Sequence, residues 1–164
     1  MYLKQKDIFG GMDRDIVKKI MDIAITESHQ EGEWLFRAGD PANIFCILLK
    51  GRVKLSLGET GHVVYIVNNA GEAFGWSSLI GRESFSASAE CMTQTKLIKF
   101  DQEKLQKVLE KDPKNSLILF KRLAAILGNR LLQSYAIIYS TSPTAISPSY
   151  GTGQVMAPPE TEPA

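Results

Sequence analysis

An α+β fold, an antiparallel β-roll of the double-stranded jelly-roll kind with flanking helices and a long C-terminal helix, is the architecture this sequence predicts. Three observations predict it. Short β-rich segments are separated by Gly32, Gly39, Gly51, Gly58, Gly61 and Gly71, the punctuation of a chain that turns back on itself repeatedly. Helical periodicity is confined to the two ends of that run. A chain of 164 residues, 44% hydrophobic, can bury one good core but hardly two.

Asp13 is placed as the N-cap of a first helix, in which Ile16, Val17, Ile20, Met21, Ile23 and Ala24 form an i, i+3, i+4, i+7 stripe. The β-rich segments follow as Trp34–Arg37, Ile44–Leu49, Arg52–Leu57, His62–Val67, Phe85–Cys91 and Thr95–Phe100. Lys54 and Ser56 alternate with Val53, Leu55 and Leu57, as in a half-buried strand. Asp101 then caps a helix with Leu105, Val108 and Leu109 on one face. Asp112-Pro113 restarts the helix, aspartate as N-cap and proline at the first helical position, where its missing N–H costs nothing. The last helix is predicted over 113–140, roughly 40 Å at 1.5 Å per residue.

On that helix Phe120, Ala124, Leu127, Leu131, Ser134 and Ile138 recur in alternating steps of four and three. Around them lie Leu123, Ile126, Leu132, Tyr135, Ile137 and Tyr139, more apolar surface than a small roll covers. Folding back on the roll is the simpler account. A parallel two-helix seam between two copies is favoured, because so large a bare patch is an aggregation liability. From Thr141 the chain turns to Ser, Thr, Gly and Pro, with Pro143, Pro148, Pro158, Pro159 and Pro163. The segment 141–164 is predicted to be a disordered tail, unable to bury enough to offset its ordering entropy. The domain expectation is therefore one folded unit, 1–140, followed by that tail.

Charge narrows the partners. Without the tail's Glu160 and Glu162, 16 acids face 19 bases, a charge near +3 and too little to imply a nucleic-acid surface. No apolar stretch approaches the roughly 18 residues of a membrane span. Met1–Asp7 has no apolar core or small-residue cleavage site, so no secretory signal is read there. Cys46 and Cys91 sit in apolar strand-like runs and read as buried, reduced thiols of a cytoplasmic protein.

The stretch Gly71 to Ala89 carries the functional signal. It reads as a strand end, a tight turn at Gly75, a short helical turn over Ser77 to Ile80, and a loop into the next strand. Glycine before a short helix lets backbone N–H groups face an anion. In its setting this stretch resembles the phosphate-binding cassette of the cyclic nucleotide-binding domain family. Ile8-Phe9, Gly32, Phe36, Gly39-Asp40, Ile47, Lys50 to Val53, Gly71, Phe74-Gly75, Leu79 and the final helix match that family's order and spacing from about Ile8 to Ser140. The resemblance implies a β-roll, a hinge-and-helix readout, and cyclic AMP or cyclic GMP as effector. It implies Phe74, Gly75, Trp76, Ser77, Ser78, Phe85, Ser86 and Ala87 as the residues at the ligand, to which the nearby Arg82 is added on its position alone.

Two positions depart from the family's pattern. Its cassette reads Phe-Gly-Glu, with the glutamate on the ribose 2′-hydroxyl, and later an arginine on the cyclic phosphate. Here the glutamate position is Trp76 and the arginine position is Phe85. An indole has one donor and no acceptor, and a phenyl ring offers a phosphate nothing like the two-pronged bond of a guanidinium. Charge-assisted hydrogen bonds contribute about 1.5–3 kcal/mol each, so losing both weakens such binding by a few powers of ten. Arg82, three residues before Phe85, is a substitute cation or an ordinary loop arginine; Ser86 and Ser88 are hydroxyl donors to a ligand or partners of their own backbone. Trp76 and Phe85 either fill the pocket or line an apolar slot for another ligand.

Other chemistries fare worse. Two separated cysteines cannot hold an iron–sulfur cluster, which needs about four ligands. His29 and His62 lie in no haem motif. No nucleophile elbow, metal-binding His-Glu spacing, P-loop or paired carboxylates appear, so no enzyme is expected. No recognition helix follows the last helix, which argues against direct DNA binding. The expectation is a regulatory module that senses a small effector and dimerises through its last helix. The alternatives are an interaction scaffold with a self-filled pocket, or a regulator acting with a protein partner that supplies DNA binding.

Overall fold

Eight strands form two four-stranded antiparallel sheets in a computed structural model that describes residues 8–58 and 61–141. The tail expected beyond Thr141 lies outside the described residues. The strands are β1 (Ile25–His29), β2 (Trp34–Phe36), β3 (Ile44–Lys50), β4 (Val53–Leu57), β5 (His62–Val67), β6 (Ala73–Phe74), β7 (Ser88–Cys91) and β8 (Thr95–Asp101). One sheet runs β1-β8-β3-β6 and the other β2-β7-β4-β5. Helices α1 (Arg14–Asp22), α2 (Gln102–Glu110) and α3 (Pro113–Thr141) flank them, and a 3-10 turn spans Trp76–Leu79.

Strand β3 explains why its sequence is apolar throughout. Cys46 and Leu48 join Phe36, Leu55, Phe74, Phe85 and Leu97 in one buried cluster, to which both sheets contribute. Phe45 instead packs on Phe100, which in turn meets Phe9 edge-to-face at 5.9 Å. Both sets of side chains are excluded from water, so alternation with polar residues disappears. Burial of this kind contributes about 1.5–3 kcal/mol per large side chain. It also pushes the Cys46 thiol up to about 12 and raises that of Cys91, so both stay protonated and unreactive.

The turn at Gly51 is set by space as much as by φ. A Cβ there would sit 2.6 Å from the Gln94 carbonyl oxygen and 2.8 Å from Thr95 Cα, at a φ of +99°. Only glycine allows β3 to cross that closely to the start of β8.

Three details differ from the sequence expectation. The first helix ends at Asp22, and Ile25–His29 is a strand that the periodicity missed. It is an edge strand, paired to β8 alone, and its Ile-Thr-Glu-Ser-His carries too few apolar residues to announce itself. The segment expected as Phe85–Cys91 begins pairing only at Ser88, because the backbone before it bonds elsewhere. Asp13 occupies the N-cap position but makes no side-chain cap; its carboxylate accepts from Asn115 Nδ2 at 3.0 Å. Asp101 and Asp112 do cap, accepting from the backbone N–H of Lys104 and of Asn115.

By its internal contacts the chain divides into Met1–Ala125 and Ile126–Ala164. The first unit holds the sheets, α1, α2 and the beginning of α3. In the second, no described residue is buried, and Leu131, Leu132, Tyr135, Ile137, Ile138 and Tyr139 are exposed. No helix among the described residues is long and apolar enough to cross a membrane.

Candidate ligand cassette

The cassette begins where β6 ends. Gly75 turns the chain with a φ of +76°, and a Cβ there would stand 3.1 Å from the Ile44 carbonyl oxygen and within 3.7 Å of the Phe36 and Phe85 rings. The next residues wind into the 3-10 turn. Ser78 donates both its N–H, at 3.2 Å, and its hydroxyl, at 2.9 Å, to the Gly75 carbonyl, so this buried serine serves the turn itself. Ser77 is also buried, and its carbonyl accepts the Arg82 N–H. Trp76 is half-buried.

Phe85 defines the site. It is 3% exposed and stacked on Phe36, ring centroids 3.8 Å apart and nearly parallel, and Phe74 is tilted against Phe36 at 6.3 Å. The ring is part of the roll's core. Stacked aromatic pairs contribute about 0.5–1.5 kcal/mol beyond their area.

Backbone bonds aim it there. The loop 37–42 runs beside the loop 83–88: Gly39 N–H donates to the Phe85 carbonyl and Phe85 N–H to the Asp40 carbonyl, both at 2.9 Å. Ala42 N–H donates to the Glu83 carbonyl, and Ala38 N–H to Ser88 Oγ at 2.9 Å. Asp40 steadies its own turn by accepting from Arg37 N–H at 2.7 Å. The sequence signal for this clamp was present in Gly39-Asp40-Pro41, but nothing local says which loop it grips.

The remaining residues singled out by sequence are less engaged. Arg82 and Ser86 are exposed and Ala87 is half-buried. Arg82's guanidinium makes no hydrogen bond or ion pair among the described residues. Ser88, offered as a hydroxyl for a ligand, spends its oxygen on Ala38. Preceding the cassette, Glu72 anchors its own loop, accepting from Asn68 and Asn69 N–H at 3.2 Å and from the Tyr65 hydroxyl. Thus Gly75 to Leu79 form a tight 3-10 turn in which both Ser78 donors are spent on the Gly75 carbonyl, while Phe85 is packed into the core. Among the described residues no group of three His, Cys, Asp or Glu side chains could hold a metal ion.

A two-sheet roll, a glycine-led 3-10 turn after β6 and a following helix pair define a class of regulatory effector domains. The model of the cyclic nucleotide-binding domain matches residues 26–112, more than half of the chain, and the protein belongs to that family. Human cGMP-dependent protein kinase 2 is 29% identical over 90 residues, which cover 53% of this chain and 12% of the kinase. The chain thus matches only a small part of that relative. A cyclic nucleotide-binding domain from Methylobacillus flagellatus superposes with a TM-score of 0.71 at 23% identity, covering 85% of this chain and 78% of that one. A Geobacter metallireducens structure described as a cyclic nucleotide-binding protein gives 0.68 at 25% identity, over 76% of this chain and 91% of its own.

Proposed function

We propose that this chain is a non-enzymatic regulatory module of the family in which core packing has taken the place of the nucleotide's phosphate site, and which acts through protein contacts made by α3. The observation that carries this reading is the Phe85–Phe36 stack at 3.8 Å, with Phe85 3% exposed. A phosphate at that place would have to displace a packed ring and would meet no cation in its stead. The exposure of Phe120, Leu131 and Ile138 at 37%, 50% and 45% supports pairing of two copies through the helix, since these belong to the regular four-three stripe. The chain's small net charge gives no support to a nucleic-acid partner.

Family membership makes a cyclic nucleotide the effector to test. Titration calorimetry of the full chain with cyclic AMP and cyclic GMP is expected to give no binding heat at tens of micromolar protein. A Trp76→Glu/Phe85→Arg variant, checked for folding by circular dichroism, is expected to bind where the parent does not. Micromolar binding by the parent overturns the reading, because the backbone cradle with Arg82 would then suffice. The parent alone decides this, so misfolding of the variant leaves the test intact.

A further inference from the structure

The exposed half of α3 carries two apolar stripes, and the pairing proposed above uses one of them. The first is the line through Leu127, Leu131, Ser134 and Ile138. Gly128, Leu132, Tyr135 and Tyr139 recur with the same steps of four and three along a neighbouring line. At 3.6 residues per turn the two lines lie side by side and together span about 140° of the helix, from Leu127 round to Leu132. A two-helix seam occupies a narrower strip and is ordinarily flanked by charged residues. Here Tyr135 takes the flanking place, and Leu132 and Tyr139 stand beyond it at 64% and 72% exposure.

We infer that two such pairs associate through the second stripe, so that residues 126–141 of four copies form one helical bundle. The inference rests on the pairing proposed above and adds a second contact to it. Pairing alone leaves the second stripe wet. Leu132 and Tyr139 follow Leu131 and Ile138 by one residue, about 100° round the helix and out of reach of a helix seated on the first stripe. Charge and symmetry select further copies of the chain as the occupant. Identical faces bring identical charges together, so a charged stripe repels its own copy; from 131 to 141 the helix holds no charged residue. Each pair presents the second stripe twice, related by its own two-fold, which is what closure of two pairs into one assembly requires. The line runs back from Gly128 to Lys121, whose charge confines the contact to the helix beyond it. Ser134, the polar member of the first stripe, turns its hydroxyl to the Arg130 carbonyl at 3.0 Å, so drying the seam orphans no donor there.

Sedimentation equilibrium of the full chain tests this. The parent is expected at the mass of four copies. Leu132→Glu/Tyr139→Glu changes two exposed positions outside the core and is expected to halve that mass, with helicity by circular dichroism unchanged. Adding Leu131→Glu/Ile138→Glu is expected to halve it again, to one copy. Leu132→Gln/Tyr139→Gln repeats the first step without new charge, should the glutamates unwind the helix. A parent of two copies overturns the bundle and leaves the pairing standing, with the second stripe open to another protein or a lipid surface. A parent of one copy overturns both. Variants of the second stripe that stay folded at four copies place the contact elsewhere and overturn the bundle as well.

Discussion

The two halves of α3 share one helix and much the same apolar composition, yet among the described residues only the first buries any side chain. In 113–125, Asn115, Leu119 and Leu123 are 1%, 0% and 3% exposed. In 126–141 no described side chain is buried, and Ile137 and Tyr139 reach 65% and 72%. Composition therefore does not decide which apolar residues hold this fold together. What decides it is whether the remainder of the same unit supplies a surface to meet them. The first half commits Leu119 and Leu123 to the core while Leu117 and Phe120 stay exposed, and the second half is apolar surface with no buried side chain among the described residues.

The sharpest break between the halves is expected from truncating one leucine or isoleucine in each. Leu119→Ala removes a fully buried side chain and is expected to cost about 3 kcal/mol, a drop of roughly 10 °C in melting temperature. Ile137→Ala removes a similar volume from water and is expected to change stability by no more than about 0.5 kcal/mol. Calorimetric melts of both at one protein concentration compare them directly. Equal losses would mean that Ile137 is packed, within the chain or against a second copy, and the contrast would fall.

A smaller effect, but one that locates the anchor of the first half, is expected at Asn115. Its carbonyl oxygen accepts from Asp13 N–H at 2.8 Å, and its amide donates to Asp13 Oδ2 at 3.0 Å and Asp112 Oδ2 at 2.8 Å. One buried amide thus ties the entry of α1 to the first turn of α3. Asn115→Ala leaves the Asp13 N–H unpaired and is expected to cost about 2 kcal/mol. Asn115→Asp is expected to cost more at neutral pH, because it sets a third carboxylate between two others, and to recover part of the loss in acid. A melt at pH 7 and another near pH 4 check the order. If Asn115→Asp is the milder change, the amide's donation is not what anchors the helix.

Much of this was legible in the sequence, for identifiable reasons. The roll announces itself because each reversal needs a residue free to take positive φ, and glycine marks most of those places. Asp112-Pro113 is readable because capping is local, decided within one turn of helix. Phe74-Gly75 and the departures at Trp76 and Phe85 were visible too. What the sequence withheld was where Phe85 points. That depends on the pairing of loop 83–88 with loop 37–42, a contact between residues more than forty positions apart with no composition signature. Strand β1 was hidden for a related reason, since an edge strand whose residues are mostly wet lacks the alternation that reveals a strand. Asn115 was missed because a polar residue inside a helix reads as solvated unless its distant partner is known.

The gentlest test of the same anchor is its dependence on pH. Asn115 donates to Asp112 from both its backbone N–H and its amide, and these bonds hold the Asp112 carboxyl below its ordinary value of 3.8. At Glu27 burial pushes the carboxyl up, but the bonds and charges of Lys99 and His29 outweigh it and the net shift is downward from 4.5. A carboxyl depressed in the folded state releases its proton more readily there than in the unfolded chain. Its contribution is complete above the unfolded value and is lost as pH falls through the lower, folded value. Stability is therefore expected to be flat in these groups above about pH 5 and to decline below pH 4. Asp112→Asn keeps an acceptor for the Asn115 backbone without the charge, so its melting temperature is expected to lie below the parent's at pH 6 and to converge on it near pH 2. A Glu27→Gln variant separates the two contributions, because it flattens the acid decline at the sheet edge and leaves the α3 cap untouched. If the Asp112→Asn curve runs parallel to the parent's from pH 6 to pH 2, the cap's charge contributes nothing, and the anchoring of α3 rests on Asn115 and the buried leucines alone.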